Sequence, residues 1–197
     1  KGSSFSLPIS DSNVRAIGDL SPSSVWLSAF SAASNKEVSF SEISDTKFTI
    51  IRHSNIYGPF DKFDKKKGHF IGSSIHKVFN EKTKKINIFG MGNEMRDYLY
   101  VNDLLSFIDL AIKKQKENFQ IFNCSYGKSF KIKEILQIIL KISGSNKKIE
   151  NISSEKNINV NILVNSNKAK NILRWKPKTT IHKGIKLTID WFKKKIP

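Results

Sequence analysis

Along the chain, the pattern of apolar and polar positions changes character near residue 46. From Lys47 onward, short apolar runs of strand length alternate with stretches whose apolar residues recur three and four apart, the two periods of strand and helix. Phe48–Arg52, rich in β-branched residues, predicts a strand. After a polar, Lys-rich loop over 60–68, the stripe Phe70, Ile71, Ile75, Val78 and Phe79 predicts a helix over His69–Lys82. Ile86–Phe89 reads as a strand ended by the turn Gly90-Met91-Gly92. Tyr98–Val101 reads as extended, and Asn102-Asp103 offers a cap for a helix over Leu104–Lys114. Phe119–Asn123 predicts another strand, and Ser129 a cap for Ile132–Ile142, which Gly144 ends. A strand near Lys148–Ile152 follows. Ser166 then opens a short helix, Lys168–Leu173, stopped by Trp175-Lys176-Pro177, and Thr180 opens a last amphipathic helix, Ile181–Lys194. Strands alternating with helices place the chain in the α/β class.

The first 45 residues are unlike the rest. Fourteen serines fall between Ser3 and Ser44, and no stretch keeps a clear period. Pro8-Ile9-Ser10-Asp11 and Leu20-Ser21-Pro22 read as loops, while Val25–Glu42 has helix length without helical spacing. The expectation is a degraded or partly disordered remnant. Since the first residue is Lys1, the chain is expected to be a piece of a longer or processed protein.

Composition narrows the class. With 39% hydrophobic and 11% aromatic residues in 197, the chain is globular and long enough for one full core. No apolar run approaches the ~18 residues of a membrane span, and Lys1–Ala16 lacks the apolar region of a signal peptide. The single cysteine, Cys124, excludes an internal disulfide and reads as a small buried side chain. A cytoplasmic setting is the expectation. The net charge of +17 invites a nucleic-acid partner. However, only four of the 34 basic residues are Arg, the residue whose planar fork reads bases and phosphates. No nucleic acid is expected, and the lysines read as a solvated surface. No metal is expected either, because His53, His69, His76 and His182 have no Cys or carboxylate at ligand spacing.

Candidate chemistry begins at Asn55-Ile56-Tyr57-Gly58-Pro59, directly after the predicted strand. Polar, turn-forming residues there stand at the carboxyl edge of a sheet, where open α/β folds bind ligands. The segment continues through Asp61 and Phe63 to Gly68-His69-Phe70. A second segment is Gly92-Asn93-Glu94-Met95-Arg96-Asp97-Tyr98-Leu99-Tyr100-Val101.

Together these segments resemble the extended short-chain dehydrogenase/reductase family, the NAD-dependent epimerase/dehydratases that modify nucleotide sugars. The GDP-L-fucose synthase branch is the most similar, from about Thr46 to Pro197. The resemblance implies a partial Rossmann-like (doubly wound) remnant plus a small α/β substrate domain. Residues 1–46 would be the damaged cofactor-domain remnant, 47–60 its last strand and Asn-x-Tyr-Gly-Pro edge, and 61–197 the nucleotide-sugar domain with returning elements. It implies NADP or NAD as cofactor, a nucleotide sugar as substrate and a homodimeric parent.

By that resemblance Asn55 lies beside substrate and cofactor, and Tyr57 borders the nicotinamide pocket. His69 corresponds to a general acid, a role its ordinary pKa near 6.5 suits. Lys77 and Arg96 correspond to groups that hold the substrate's diphosphate. The residues alone leave plainer readings open: an ordinary strand-ending turn at Asn55 and Tyr57, a helix-capping or solvated His69, a solvated Lys77. Arg96 equally fits a pair with Asp97 or Asp103. Relatives usually carry Pro where Gly72 stands, which loosens the helix start.

Two family motifs are absent. No Gly-x-x-Gly-x-x-Gly or Gly-x-Gly-x-x-Gly follows a strand. No tyrosine is followed four residues later by Lys, and the stretch where that pair belongs, Ser23–Phe30, holds neither residue. An inactive fragment, or a disrupted reading frame, is therefore expected. The alternatives are a UDP- or dTDP-sugar 4-epimerase or dehydratase, and a non-catalytic, Lys-rich binding fragment.

Overall fold

The computed structural model describes residues 14–17, 46–80, 82–152 and 161–195. Three small sheets carry the architecture of the described residues. Strand β1 (Val14–Ile17) pairs in parallel with β2 (Lys47–His53), and β2 with β6 (Phe119–Cys124). Strand β3 (Asn55–Tyr57) pairs in parallel with β5 (Met95–Tyr100), whose other side takes β7 (Ser129–Lys131) antiparallel. Strands β4 (Lys85–Phe89) and β8 (Lys148–Ile152) form a parallel pair. Helices α1 (Phe70–Asn80), α2 (Val101–Lys114), α3 (Ile132–Ser143), α4 (Asn167–Leu173) and α5 (Ile181–Lys195) connect and cover them.

The chain changes sheets at Ser54. His53 is still in register with Cys124, the Ser54 N–H donates to the Cys124 carbonyl at 3.0 Å, and Asn55 is already opposite Tyr98. One buried residue thus hands the strand from β6 to β5 and carries Asn55 and Tyr57 past the carboxyl end of the first sheet. That placement is where a parallel sheet opens a ligand crevice.

Two apolar cores follow from the periodic patterns. One gathers Ile71, Ile75, Leu136, Ile139, Ile185 and Phe192 from the buried stripes of α1, α3 and α5. The other packs Leu99, Phe107, Phe122 and Trp175 between β5, β6 and α2. Phe107 meets both Phe122 and Trp175 edge-on, a favoured aromatic geometry.

Several expectations need correction. Ser129 does not cap α3: it belongs to β7 opposite Asp97, and its hydroxyl donates to the Ile162 carbonyl, while Lys131 holds the cap position. Helix α2 starts at Val101, so Asp103 lies inside its first turn and does not cap it. The Asp103 carboxylate instead accepts the N–H groups of Lys178 and Thr179, each at 3.0 Å. Strand β1 (Val14–Ile17) lies within the stretch expected to be a degraded or partly disordered remnant. Val25–Glu42 and Ser23–Phe30 lie outside the described residues. Gly144 does end its helix, in the left-handed conformation with its N–H on the Leu140 and Lys141 carbonyls.

Candidate functional site

Four of the five residues singled out in the sequence line one cleft. Asn55, Ile56 and Tyr57 of β3, His69 to Ile71 at the start of α1, Arg96 and Tyr98 of β5, and Ile132 at the start of α3 enclose about 110 Å³. Complete small-molecule sites run to roughly 300–1,000 Å³. The cleft therefore has room only for a small group, and a larger ligand would extend beyond it. The amino ends of two helices meet there, and helix amino ends favour anions.

Asn55 is exposed at the cleft, and its side-chain amide donates to the Asp97 carbonyl at 2.8 Å. That bond fixes the amide at the junction of β3 and β5. Arg96 is half-buried on β5, opposite Phe130. The carboxylates of Asp97 and Asp103 both bind backbone amides. Asp97 accepts from the N–H groups of Tyr126 and Gly127, and Asp103 from Lys178 and Thr179. Burial pushes the Asp97 carboxyl above its ordinary value, against the opposing pull of those amides.

His69 stands at the rim, 79% exposed, with Nδ1 3.0 Å from Asp61 Oδ1. In the sequence Asp61 stands within the segment after Gly58-Pro59, and no local pattern pairs it with a residue eight positions on. The loop between them is ordered by Asp64, whose Oδ1 accepts from the Lys66 and Lys67 N–H groups at 2.8 and 2.6 Å. These bonds hold the Asp64 carboxyl below its ordinary value.

Tyr57 contributes to the cleft wall, but its ring is 2% exposed and sunk in the core. It packs edge-on against Tyr98 and Tyr100, and burial pushes its hydroxyl well above the ordinary tyrosine range. The ring is thus a structural element, and of the two residues assigned to a cofactor only Asn55 presents its side chain. Lys77 is not in this cleft. It lines a separate cleft of about 700 Å³ with Lys65, Lys66, Lys84, Lys85 and the exposed Phe89. His76 is half-buried with Nδ1 shielded from solvent. Cys124 is fully buried, and burial pushes its thiol up, so it is no candidate nucleophile. Among the described residues no group of three or more His, Cys, Asp or Glu is placed to hold a metal. None of their helices is long and apolar enough to cross a membrane.

A parallel α/β scaffold with a His, Arg and Asn cleft at its sheet edge defines the class. The chain belongs to the NAD-dependent epimerase/dehydratase family, whose sequence pattern matches residues 21–125, more than half of its length. Particular relatives follow. It is 29% identical to a UDP-glucuronate 4-epimerase of Thermodesulfobacterium geofontis over 75% of this chain and 44% of that enzyme. It is 26% identical to a GDP-L-fucose synthase of Sinorhizobium fredii over 89% of this chain and 56% of that enzyme. The fold matches the UDP-glucose 4-epimerase of Thermotoga maritima, solved with UDP-glucose, with a TM-score of 0.79 and 25% identity over 90% of this chain and 56% of that one. The chain spans about half the length of these relatives.

Proposed function

We propose that this chain is the substrate-binding part of an NAD- or NADP-dependent enzyme that epimerises or reduces a nucleotide sugar, in the manner of GDP-L-fucose synthase. The observation that carries the reading is the convergence of His69, Arg96 and Asn55 on one cleft between two helix amino ends. Arg96 would grip the diphosphate by its planar fork, and Asn55 would orient the sugar. His69 would give the proton on Nε2 to the carbon beside the sugar's keto group. The enolate's electron pair takes that proton, forms the new C–H bond and restores the ketone.

The cofactor would supply hydride chemistry, but these 197 residues do not fit a whole dinucleotide. They contain no glycine-rich phosphate cradle after a strand, and the Tyr57 ring is buried. Asn55 would meet the cofactor's reacting end beside the substrate. With no Tyr-x-x-x-Lys in the sequence, the isolated chain should not turn over NADPH with a keto-sugar. Lys77 would lie away from the diphosphate. A homodimeric parent and a reducing, cytoplasmic setting belong to the same reading, as does the absence of a nucleic-acid partner.

The similarity to the UDP-glucuronate 4-epimerase supports a second reading, a UDP-sugar 4-epimerase. Calorimetric titration of the chain with GDP- and UDP-sugars tests both. The first reading expects tighter GDP-sugar binding that Arg96→Gln weakens. Binding of neither nucleotide sugar, or binding indifferent to Arg96, would refute both.

A further inference from the structure

We propose that Asp61 is a positioning residue for His69: its carboxylate holds the imidazole by Nδ1 and so presents Nε2 to the cleft shared by Asn55 and Arg96. The inference rests on the proton-donor reading of His69 given above.

The pair is asymmetric. The His69 side chain is 79% exposed, whereas that of Asp61 is 8% exposed, with 3.0 Å between Nδ1 and Oδ1. An exposed imidazole left alone samples several rotamers, and ordering it costs side-chain entropy. Here a seated carboxylate supplies the restraint. Asp61 is itself fixed from two sides: its N–H donates to the Gly58 carbonyl at 3.3 Å, and its Oδ1 accepts the Lys62 N–H at 2.7 Å. Phe60, immediately before it, has φ +66, a conformation that bulky residues rarely adopt and that gathers at functional sites.

Gly72 makes the seat. A Cβ on residue 72 would stand 3.0 Å from Asp61 Oδ2 and 3.1 Å from the Lys62 carbonyl. A side chain there would crowd the carboxylate by a few tenths of an ångström, so the glycine lets it tuck close against the first turn of α1. Its Oδ2 is buried and has no hydrogen-bond partner among the described residues, a cost folded proteins seldom accept without a compensating role. The role offered by the geometry is at the other oxygen. A carboxylate on Nδ1–H fixes the tautomer and orientation of a histidine and stabilises its cationic form. With Asp61 on Nδ1, the cationic ring presents Nε2–H to the cleft, and the neutral ring left after donation keeps its remaining proton on Nδ1.

The tautomer is directly readable. In long-range proton–nitrogen correlation spectra of the 15N-labelled chain, with His69 assigned through His69→Gln, the neutral wild-type ring should carry its proton on Nδ1. Asp61→Ala and Asp61→Leu, which cannot accept that bond, should return it to the Nε2–H form that free imidazole favours. A wild-type ring already in the Nε2–H form, or a tautomer unchanged in both variants, would overturn the proposal. If neither variant folds, the wild-type tautomer alone decides. Addition of GDP-mannose separates the two readings. An Asp61-dependent tautomer with no His69 response to the GDP-sugar upholds the pairing and refutes the proposed function. A responding ring in the Nε2–H form refutes the pairing.

Discussion

The Tyr57 hydroxyl occupies the space where the Cβ of any residue but glycine at position 184 would stand. Gly184 lies on the buried face of α5, and the Tyr57 ring is wedged between that helix, Tyr98 and Tyr100. The close approach lets β3, which ends the strand leading to the cleft, pack directly on the last helix. Gly184→Ala should therefore destabilise the fold by overpacking, by about 1–3 kcal/mol, even though alanine is the better helix former. Urea unfolding measures it, and an alanine variant as stable as wild type would show that the Tyr57 ring moves freely.

Asp103 ties α2 to the segment entering α5, by accepting two backbone N–H groups about 75 residues away. The Trp175 indole reinforces the junction by donating to the Asp103 carbonyl at 3.2 Å. Asp103→Ala leaves two part-buried backbone amides without their charged acceptor and should cost about 1–3 kcal/mol. The same unfolding assay reads it, and a loss below 0.5 kcal/mol, about the noise of a surface change, would mean that water replaces the carboxylate.

Two carboxylates should give opposite pH responses. Asp97 has a raised folded-state value through burial, so its stabilising contribution is complete below the ordinary carboxyl pKa of about 4 and is lost as pH rises through the higher folded value. Asp64 has a lowered value through the Lys66 and Lys67 amides, so its contribution is present above about 4 and is lost as pH falls through the lower folded value. Against Asp97→Asn, the wild type's relative stability should fall as pH rises above about 4. Against Asp64→Asn, it should fall on acidification below about pH 4. Urea midpoints across that range check the signs, and parallel trends would contradict the assignment.

Lys77 and Arg96 line different clefts. Under the proposed function, Arg96→Lys should weaken GDP-sugar binding about tenfold, the worth of one charge-assisted hydrogen bond. Lys77→Ala should weaken it less than about twofold, as for a screened surface charge. Titration calorimetry at fixed salt ranks them, and equal losses would place both residues on one ligand.

Cys124 is fully buried at the end of β6 with its thiol pushed up. The thiolate is the form that attacks a disulfide reagent. Labelling of the native chain should therefore be slower than in urea by on the order of 100-fold or more, set by local opening. Native labelling at the unfolded rate would show β6 to be open.

Much of the fold was legible because helical periods and turn glycines are local properties. The stripe Phe70–Phe79, the turn at Gly90 to Gly92 and the stop at Gly144 all matched what the structure contains. The two three-residue strands, Asn55–Tyr57 and Ser129–Lys131, were not legible. Three residues cannot display a period, and a serine before a helix looks like a cap whether or not it is paired to Asp97.

For the site, the amino-acid sequence by itself determined which residue types lie near the edge of a strand: Asn55, His69 and Arg96 stand in segments whose turns and apolar runs fix their local backbone. Only the tertiary structure decided which of them share a cleft. It brought Asn55, His69 and Arg96 together, sent Lys77 to the other cleft and turned the Tyr57 ring into the core. It also seated Asp61 against Gly72 within reach of His69. The physical reason is that a side chain's partners are chosen by where distant segments cross, and that choice belongs to the packing of the whole chain, beyond any local period.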